Sequence, residues 1–331
     1  MFITVLCKVV DNYGDIGVCW RMCRRLKKLN PQNTISLIVD NLVSFNRICD
    51  SVDVDAAFQN VQGVDVYNWN NADVCYGQFV QNDGERLSVI LECFQCGRPD
   101  WMEKILFEEK LNRTVQIIMI DYLTAEKYAE DFHCLKSLTR SAKVQKVNFM
   151  PGFTEKTGGL IIDDEWEKLP EYNKDGPILQ FIYNGKGAEL LPEGKPLPYM
   201  NQTDWDKMMK NCSALIIRGE ESMSRACLSG IPFIWQAYPQ TEEYQLVKVK
   251  AVLERMRPHF DEGAFEIVEK AWLFVNVDCH NDMSDAAIQK FLDSRSTLVP
   301  YFQDFAKSLR KNGDLCSNLM TFINKIDIID R

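Results

Sequence analysis

The chain runs to 331 residues, long for one domain and comfortable for two. Hydrophobic residues make up 46% and charged residues 26%, a globular composition, and no run approaches the roughly 18 to 20 apolar residues of a membrane span. A net charge of −9 argues against a nucleic-acid partner, and twelve cysteines scattered through apolar runs, Cys7, Cys75 and Cys227 among them, fit reduced thiols in a cytoplasmic protein.

Phe2–Val10 is rich in β-branched residues and predicts a first strand. The start of the chain carries no basic n-region and no small-residue cleavage site, so it does not read as a signal peptide. The loop Asp11-Asn12-Tyr13-Gly14-Asp15-Ile16-Gly17 follows. Val18–Leu29 then reads as an amphipathic helix with Val18, Met22, Leu26 and Leu29 on one side. Asn30-Pro31 stops it, and Thr34–Val39 is the second strand. This βαβ opening predicts a parallel sheet with the loop at its carboxyl edge, where ligands bind in open α/β folds. GxGxxG is absent, which argues against a Rossmann-type oxidoreductase. Two carboxylates, Asp11 and Asp15, stand instead at the strand-to-helix mouth. Asp15 there either caps the helix or serves chemistry.

Further strands are expected at Asp73–Tyr76, Leu87–Glu92 and Val115–Asp121, and helices at Phe45–Cys49, Pro99–Leu111 and Ala125–Lys136. Asp53-Val54-Asp55 has DxD form, and Asp163-Asp164-Glu165 is similar in kind. Both lie in polar stretches without a strand context, and neither is taken as a metal site. Cys93-Phe94-Gln95-Cys96 is a lone CxxC with no second pair and no histidine at ligand spacing, the three histidines being His133, His259 and His280. No zinc or redox role is assigned to it. Gln145–Thr154 reads as a strand meeting a Pro-Gly boundary, and the turn-rich, charged stretch beyond it as a connection.

A second α/β unit starts with the strand Ile178–Tyr183, passes an irregular Gly/Pro-rich stretch at Gly185–Pro198, and continues into a helix at Trp205–Cys212. Ala214–Ile217 is a short buried strand that stops at Arg218-Gly219. Glu220-Glu221-Ser222 supplies helix-start chemistry, Met223–Ser229 is a short helix ended by Gly230 and Pro232, and Phe233–Trp235 is the next strand. Strand, tight loop, helix start and strand together offer backbone N–H groups and a positive dipole end to a phosphate, and Arg218 adds a forked positive charge. The same pattern also describes an ordinary βα connection with an acidic helix start. Helices follow at Glu243–Met256, Ala264–Asn276, Asp285–Leu292, Leu298–Leu309 and Leu315–Ile326. The expected divisions are a first domain over 1–150, a linker over 151–177 and a second domain over 178–312. The helix within 313–331 is expected to return to the first domain.

Tandem α/β domains, with carboxylates at the mouth of the first and a phosphate-ready helix in the second, predict a GT-B type fold: two Rossmann-like domains facing a central cleft. Four stretches carry a closer likeness. VVDNYGDIGVCWRMCRRL (Val9–Leu26), MPGFTEKTGGL (Met150–Leu160), LPYMNQTDWDKMMKNC (Leu197–Cys212) and RGEESMSRACLSGIPFIWQAYPQ (Arg218–Gln240) resemble the protein-arginine rhamnosyltransferases of bacterial elongation factor P, the EarP family. They come in family order and span most of the chain.

The resemblance implies transfer of rhamnose from dTDP-β-L-rhamnose to one arginine side chain of elongation factor P. The anomeric centre is inverted, and no metal or other cofactor takes part. By the same resemblance Asp15 matches the general base, Asp11 the aspartate that orients the acceptor guanidinium, and Glu220 the second catalytic carboxylate. Arg218, Gly219, Glu221 and Ser222 match the diphosphate-binding segment, and Asn12, Tyr13 and Gly14 the donor side of the first loop. Tyr199 matches the aromatic that stacks on thymine, Gln202 lies near enough to read the base edge, and Tyr183 and Tyr238 match aromatic donor contacts. The chemistry agrees. A guanidinium is protonated and a poor nucleophile, so carboxylates must hold it and accept a proton. The departing dTDP gathers negative charge that helix N–H groups and Arg218 can stabilise.

Two departures stand out. The loop reads Arg-Gly-Glu-Glu-Ser where the family usually has Asp after the first Glu. The interval between Tyr183 and Tyr199 is shorter than the family's by the equivalent of a helix and a strand. The alternative is therefore a catalytically impaired protein of the same fold that binds a nucleotide sugar or elongation factor P. The joint presence of Asp15 and Glu220 argues against it.

Overall fold

The computed structural model describes residues 1–10, 13–81, 87–108, 113–180, 200–277 and 282–329. Two compact units emerge. The first comprises Met1–Leu123, Lys127–Asp163 and Gly313–Arg331, and the second Thr124–Glu126 and Asp164–Asn312.

The strands of the first unit are β1 (Phe2–Cys7), β2 (Thr34–Val39), β3 (Phe58–Val61), β4 (Val64–Asn68), β5 (Leu87–Cys93), β6 (Thr114–Ile120), β7 (Lys136–Ser137) and β8 (Val144–Phe149). Those of the second are β9 (Ile178–Gln180), β10 (Ala214–Ile217) and β11 (Phe233–Trp235). The helices are α1 (Gly14–Leu29), α2 (Leu42–Ile48), α3 (Ala72–Gln81), α4 (Asp100–Phe107), α5 (Tyr128–Phe132), α6 (Gln202–Lys210), α7 (Glu220–Ser229), α8 (Tyr244–Met256), α9 (Glu262–Val275), α10 (Asp282–Lys311) and α11 (Leu315–Ile329).

In the first unit the strand order is β3-β4-β2-β1-β5-β6-β8-β7. The inner strands run parallel, and β3 and β7 pair antiparallel at the two edges. β1 is apolar and buried along almost its whole length, as a strand covered on both faces must be. From β1 the chain moves to β2 on one side and later returns to β5 on the other. The carboxyl ends of β1 and β5 therefore flank the reversal of strand order, the place where open α/β sheets bind ligands.

α1 buries Ile16, Cys19, Trp20, Met22, Cys23 and Leu26, whereas Val18 is only partly buried and Leu29 is exposed. The expected stripe was thus rotated by part of a turn, because Trp20 and the two cysteines carry the face. α11 packs beside α1, with Leu315, Cys316, Leu319 and Ile323 in the same core. Asp314 ties three pieces together: its carboxylate accepts from the Ile162 N–H (2.8 Å), the Arg25 Nε (3.0 Å) and the Ser317 hydroxyl (2.8 Å). Gly158 lies between Phe149 and Leu315 so closely that a Cβ would come within 2.6 and 2.7 Å of their side chains, which is why the TGGL stretch needs a glycine there.

The stretch 151–177 is shared between the units, with 151–163 in the first and 164–177 in the second. Two sequence expectations give way, and one element was unforeseen. Asp73–Tyr76 is helical, within α3, because Cys75 and Phe79 are buried four residues apart while Val74, Tyr76 and Val80 are exposed. Asp285–Leu292 and Leu298–Leu309 are one helix, α10, running through Pro300. Its buried residues Ile288, Phe291, Leu292, Leu298, Phe302, Phe305 and Leu309 keep one unbroken stripe, and that burial outweighs the backbone bond Pro300 cannot make. The hairpin β3–β4, unforeseen, turns on Gln62 (φ +51) and Gly63 (φ +82), a two-residue left-handed turn that matches strand twist.

The second unit holds the parallel sheet β11-β10-β9 among the described residues. α9 is pinned to β11 by Trp272 Nε1 donating to Phe233 O (2.8 Å) and by Asn276 Nδ2 donating to Trp235 O (2.7 Å). Among the described residues no helix is long and apolar enough to cross a membrane.

Candidate active site

In the first unit the functional side chain is Asp15, the second residue of α1, which Tyr13 and Gly14 open. Its carboxylate is buried. Oδ2 accepts from the Val10 N–H (2.8 Å) and Oδ1 from the Tyr122 hydroxyl (3.1 Å). Both bonds lead outside the helix, one to the loop after β1 and the other to the turn after β6. The loop itself is tied to the next strand, the Val9 N–H donating to Asp40 Oδ1 (2.9 Å).

Beneath this mouth lies a set of thiols. Cys19, one turn after Asp15, shares a buried core with Cys7 at the end of β1 and Cys93 at the end of β5, and burial pushes the Cys19 thiol well up. Cys96 is partly buried, and burial raises its thiol too. Cys93 is fully buried in the core, and the CxxC packs as small apolar side chains.

In the second unit the site grows from the end of β10. Arg218 follows Ile217 and is almost fully buried. Its carbonyl accepts from Trp235 Nε1 (2.6 Å), and its guanidinium lies 4.9 Å from the centre of the Tyr238 ring. Tyr238 stands just beyond β11, where Asn276 Oδ1 accepts from the Ala237 N–H (2.8 Å) and holds the strand end. Gly219 is the N-cap of α7 and has no side chain to spend on the first-turn N–H groups. Glu220 meets Lys248 of α8 (2.9 Å), Glu221 faces Arg225 (3.5 Å), and Ser222 is buried in the same first turn. The acids that read as helix-start residues thus make ion pairs. Gln202 opens α6 and is buried, behind the N-cap Asn201 whose side chain accepts from the Asp204 N–H (2.9 Å).

Asp11, Asn12, Tyr183 and Tyr199 lie outside the described residues. The acidic motifs have local partners. Asp53 Oδ1 accepts from the Asp55 N–H (3.0 Å), a turn closure; Asp163 pairs with the buried Arg21 (2.5 Å), and Glu165 with Lys210 (2.7 Å). Among the described residues no group of three His, Cys, Asp or Glu side chains is placed to hold a metal. Sequence reasoning missed Tyr122, Lys248 and Asn276. Tyr122 follows β6 at the same carboxyl edge as Asp15, so the topological rule that marked the first loop could have found it. Lys248 and Asn276 carry no local signal.

Comparison with known proteins gives one consistent outcome. The family model described as "Elongation-Factor P (EF-P) rhamnosyltransferase EarP" matches residues 3–181 and 192–324. A protein-arginine rhamnosyltransferase of Pseudomonas aeruginosa is 29% identical, over 82% of this chain and 86% of that protein. One of Shewanella oneidensis is 26% identical, over 97% of each chain. A solved structure from work on "EarP-mediated arginine glycosylation of translation elongation factor EF-P" aligns with TM-score 0.46 and 16% identity, covering 98% of this chain and 99% of that one.

Proposed function

The chain belongs to the EarP family of elongation-factor P rhamnosyltransferases, and from that membership we propose that it transfers rhamnose from dTDP-β-L-rhamnose to an arginine side chain of elongation factor P, with inversion and without a metal. The observation that carries this reading is the placement of Asp15. A buried carboxylate at the β1/β5 switch point is gripped by Val10 and Tyr122 outside its own helix.

The roles divide between the units. Asp15 accepts the proton that the acceptor guanidinium gives up as its nitrogen bonds to the anomeric carbon. Asp11 and Glu220 hold that cation by charge-assisted hydrogen bonds. The C–O bond to dTDP breaks on the opposite face, and the electron pair leaves with the diphosphate. Its charge falls to Arg218 and to the first-turn N–H groups of α7 after Gly219. The ring of Tyr238 beside Arg218 keeps the guanidinium from swinging away and offers an apolar face to the donor. Tyr199, Tyr183 and Gln202 complete the donor side, with thymine stacked on Tyr199, and Asn12, Tyr13 and Gly14 meet the donor from the first loop. A soluble, cytoplasmic encounter of these reactants needs no membrane and no nucleic acid.

A second reading has one observation in its favour: the family match breaks over 182–191. A protein altered there would bind the nucleotide sugar without turnover. Incubation with elongation factor P and dTDP-rhamnose, followed by intact-mass spectrometry, separates the two. A single added deoxyhexose on an arginine supports transfer. Calorimetric binding of dTDP-rhamnose with no mass shift supports the binding protein.

A further inference from the structure

The reaction scheme leaves Tyr122 without a part, yet its hydroxyl is spent on the buried carboxylate of Asp15. We propose that Tyr122 is a positioning residue: held on Phe94, it fixes the plane of the Asp15 carboxylate toward the acceptor nitrogen. The proposal rests on the reading of Asp15 as the base.

An ionised carboxylate offers about four lone-pair sites on two oxygens. Here Val10 N–H donates to Oδ2 and Tyr122 O–H to Oδ1. Donors on opposite oxygens resist rotation of the group and set the plane that it presents to the guanidinium. Alignment of this kind is worth rate, not affinity, because it matters at the moment of proton transfer.

The tyrosine is itself fixed. Its ring stacks on Phe94, with centroids 4.5 Å apart and planes 18° from parallel. Phe94 (φ +55) and Gln95 (φ +54) both take the left-handed conformation, which side chains of this size rarely accept. The turn is locked on either side. The Phe94 N–H donates to Ile120 O (2.8 Å), and Asp121 accepts from the Tyr122 N–H (2.8 Å) and the Gln95 side chain (3.4 Å). Tyr122 is 39% exposed, so core packing does not explain this machinery. What the strained turn delivers is a ring platform, and what the platform delivers is one hydroxyl on Asp15.

The test is Tyr122→Phe, which keeps the stack and removes the hydroxyl, with Asp15→Asn and Phe94→Leu alongside. Transfer to elongation factor P is followed by mass spectrometry under saturating dTDP-rhamnose, and donor affinity by calorimetry. Expected is a kcat about tenfold lower in Tyr122→Phe, the size of one hydrogen bond to a charged group, with donor dissociation constant and thermal midpoint unchanged. Phe94→Leu should lower kcat less, in the same selective way. A wild-type kcat in Tyr122→Phe while Asp15→Asn is inactive overturns the positioning role and leaves the base standing. Equal losses of rate and donor affinity in Tyr122→Phe overturn it as well, since the hydroxyl then belongs to the donor pocket. Retained transfer in Asp15→Asn overturns the assignment of the base, and the positioning role falls with it.

Discussion

Lys248 Nζ of α8 stands 2.9 Å from Glu220 Oε1, the first carboxylate of α7. The two side chains are each about a quarter exposed, so the pair adds little to folding stability, of the order of 1 kcal/mol or less. Its use is to hold Glu220 at the helix start. Lys248→Met should therefore lower the transfer rate by no more than about tenfold, the equivalent of 1.4 kcal/mol, and leave the thermal midpoint where it was. Steady-state kinetics beside a thermal melt check this; a large stability loss with unchanged kcat would make the pair a structural strut.

Arg218 and Tyr238 form the second testable pair. A guanidinium seated 4.9 Å from the ring centre presents a planar fork that lysine cannot reproduce. Arg218→Lys should weaken the binding of dTDP by about 1–2 kcal/mol, since a point charge keeps the attraction and loses the bidentate geometry. Tyr238→Leu should weaken it less. Calorimetric titration with dTDP reads both, and an unchanged affinity in Arg218→Lys would remove the fork from the diphosphate contact.

Much of this arrangement was legible in the sequence because it is local. β1, α1 and β2 announce themselves by apolar runs, a helix period and Asn30-Pro31, and β10, α7 and β11 by Arg218-Gly219 and Gly230. What was not legible depends on partners far along the chain. Tyr122 is 107 residues from Asp15 and linked to it only through the sheet topology, while Lys248 is 28 residues from Glu220 with no rule of spacing to join them. Asp73–Tyr76 misled because the short apolar run Val74-Cys75-Tyr76 fits strand or helix alike, and only the burial of Cys75 with Phe79 decides. The β3–β4 turn hid because Gln62 takes a left-handed conformation usually left to Asn, Asp or Gly.

His133 supplies a pH dependence. Burial lowers its pKa, and Nδ1 accepts the Met150 N–H (3.1 Å), a bond only the neutral ring can make. The unfolded chain binds a proton near pH 6.5 while the folded chain resists it, so the unfolded state holds more protons in between. The stability contributed by neutral His133 is complete above about pH 6.5 and is lost as the pH falls from there through the lowered folded value. His133→Asn, whose amide oxygen can accept the same N–H, should flatten the melting temperature over that window. Melts from pH 7.5 downward compare the two, and parallel curves would show that other groups set the acid limb.

Asp163 and Asp53 sort the two acidic motifs by the same measurement. Asp163 faces the fully buried Arg21 at 2.5 Å, with its own side chain 16% exposed. Asp163→Asn removes a negative charge that faces this buried guanidinium and should cost about 2–4 kcal/mol. Asp53 closes an exposed turn through the Asp55 N–H, and Asp53→Asn should cost less than about 0.5 kcal/mol because the amide oxygen still accepts. Urea unfolding of both variants gives the contrast directly. Neither carboxylate is asked to hold a metal, so chelation by EDTA should leave the transfer rate of the wild-type protein unchanged. A rate lost to EDTA and restored by a divalent cation, together with a small stability cost for Asp163→Asn, would reassign the Asp163-Asp164-Glu165 motif from an ion pair to a ligand set.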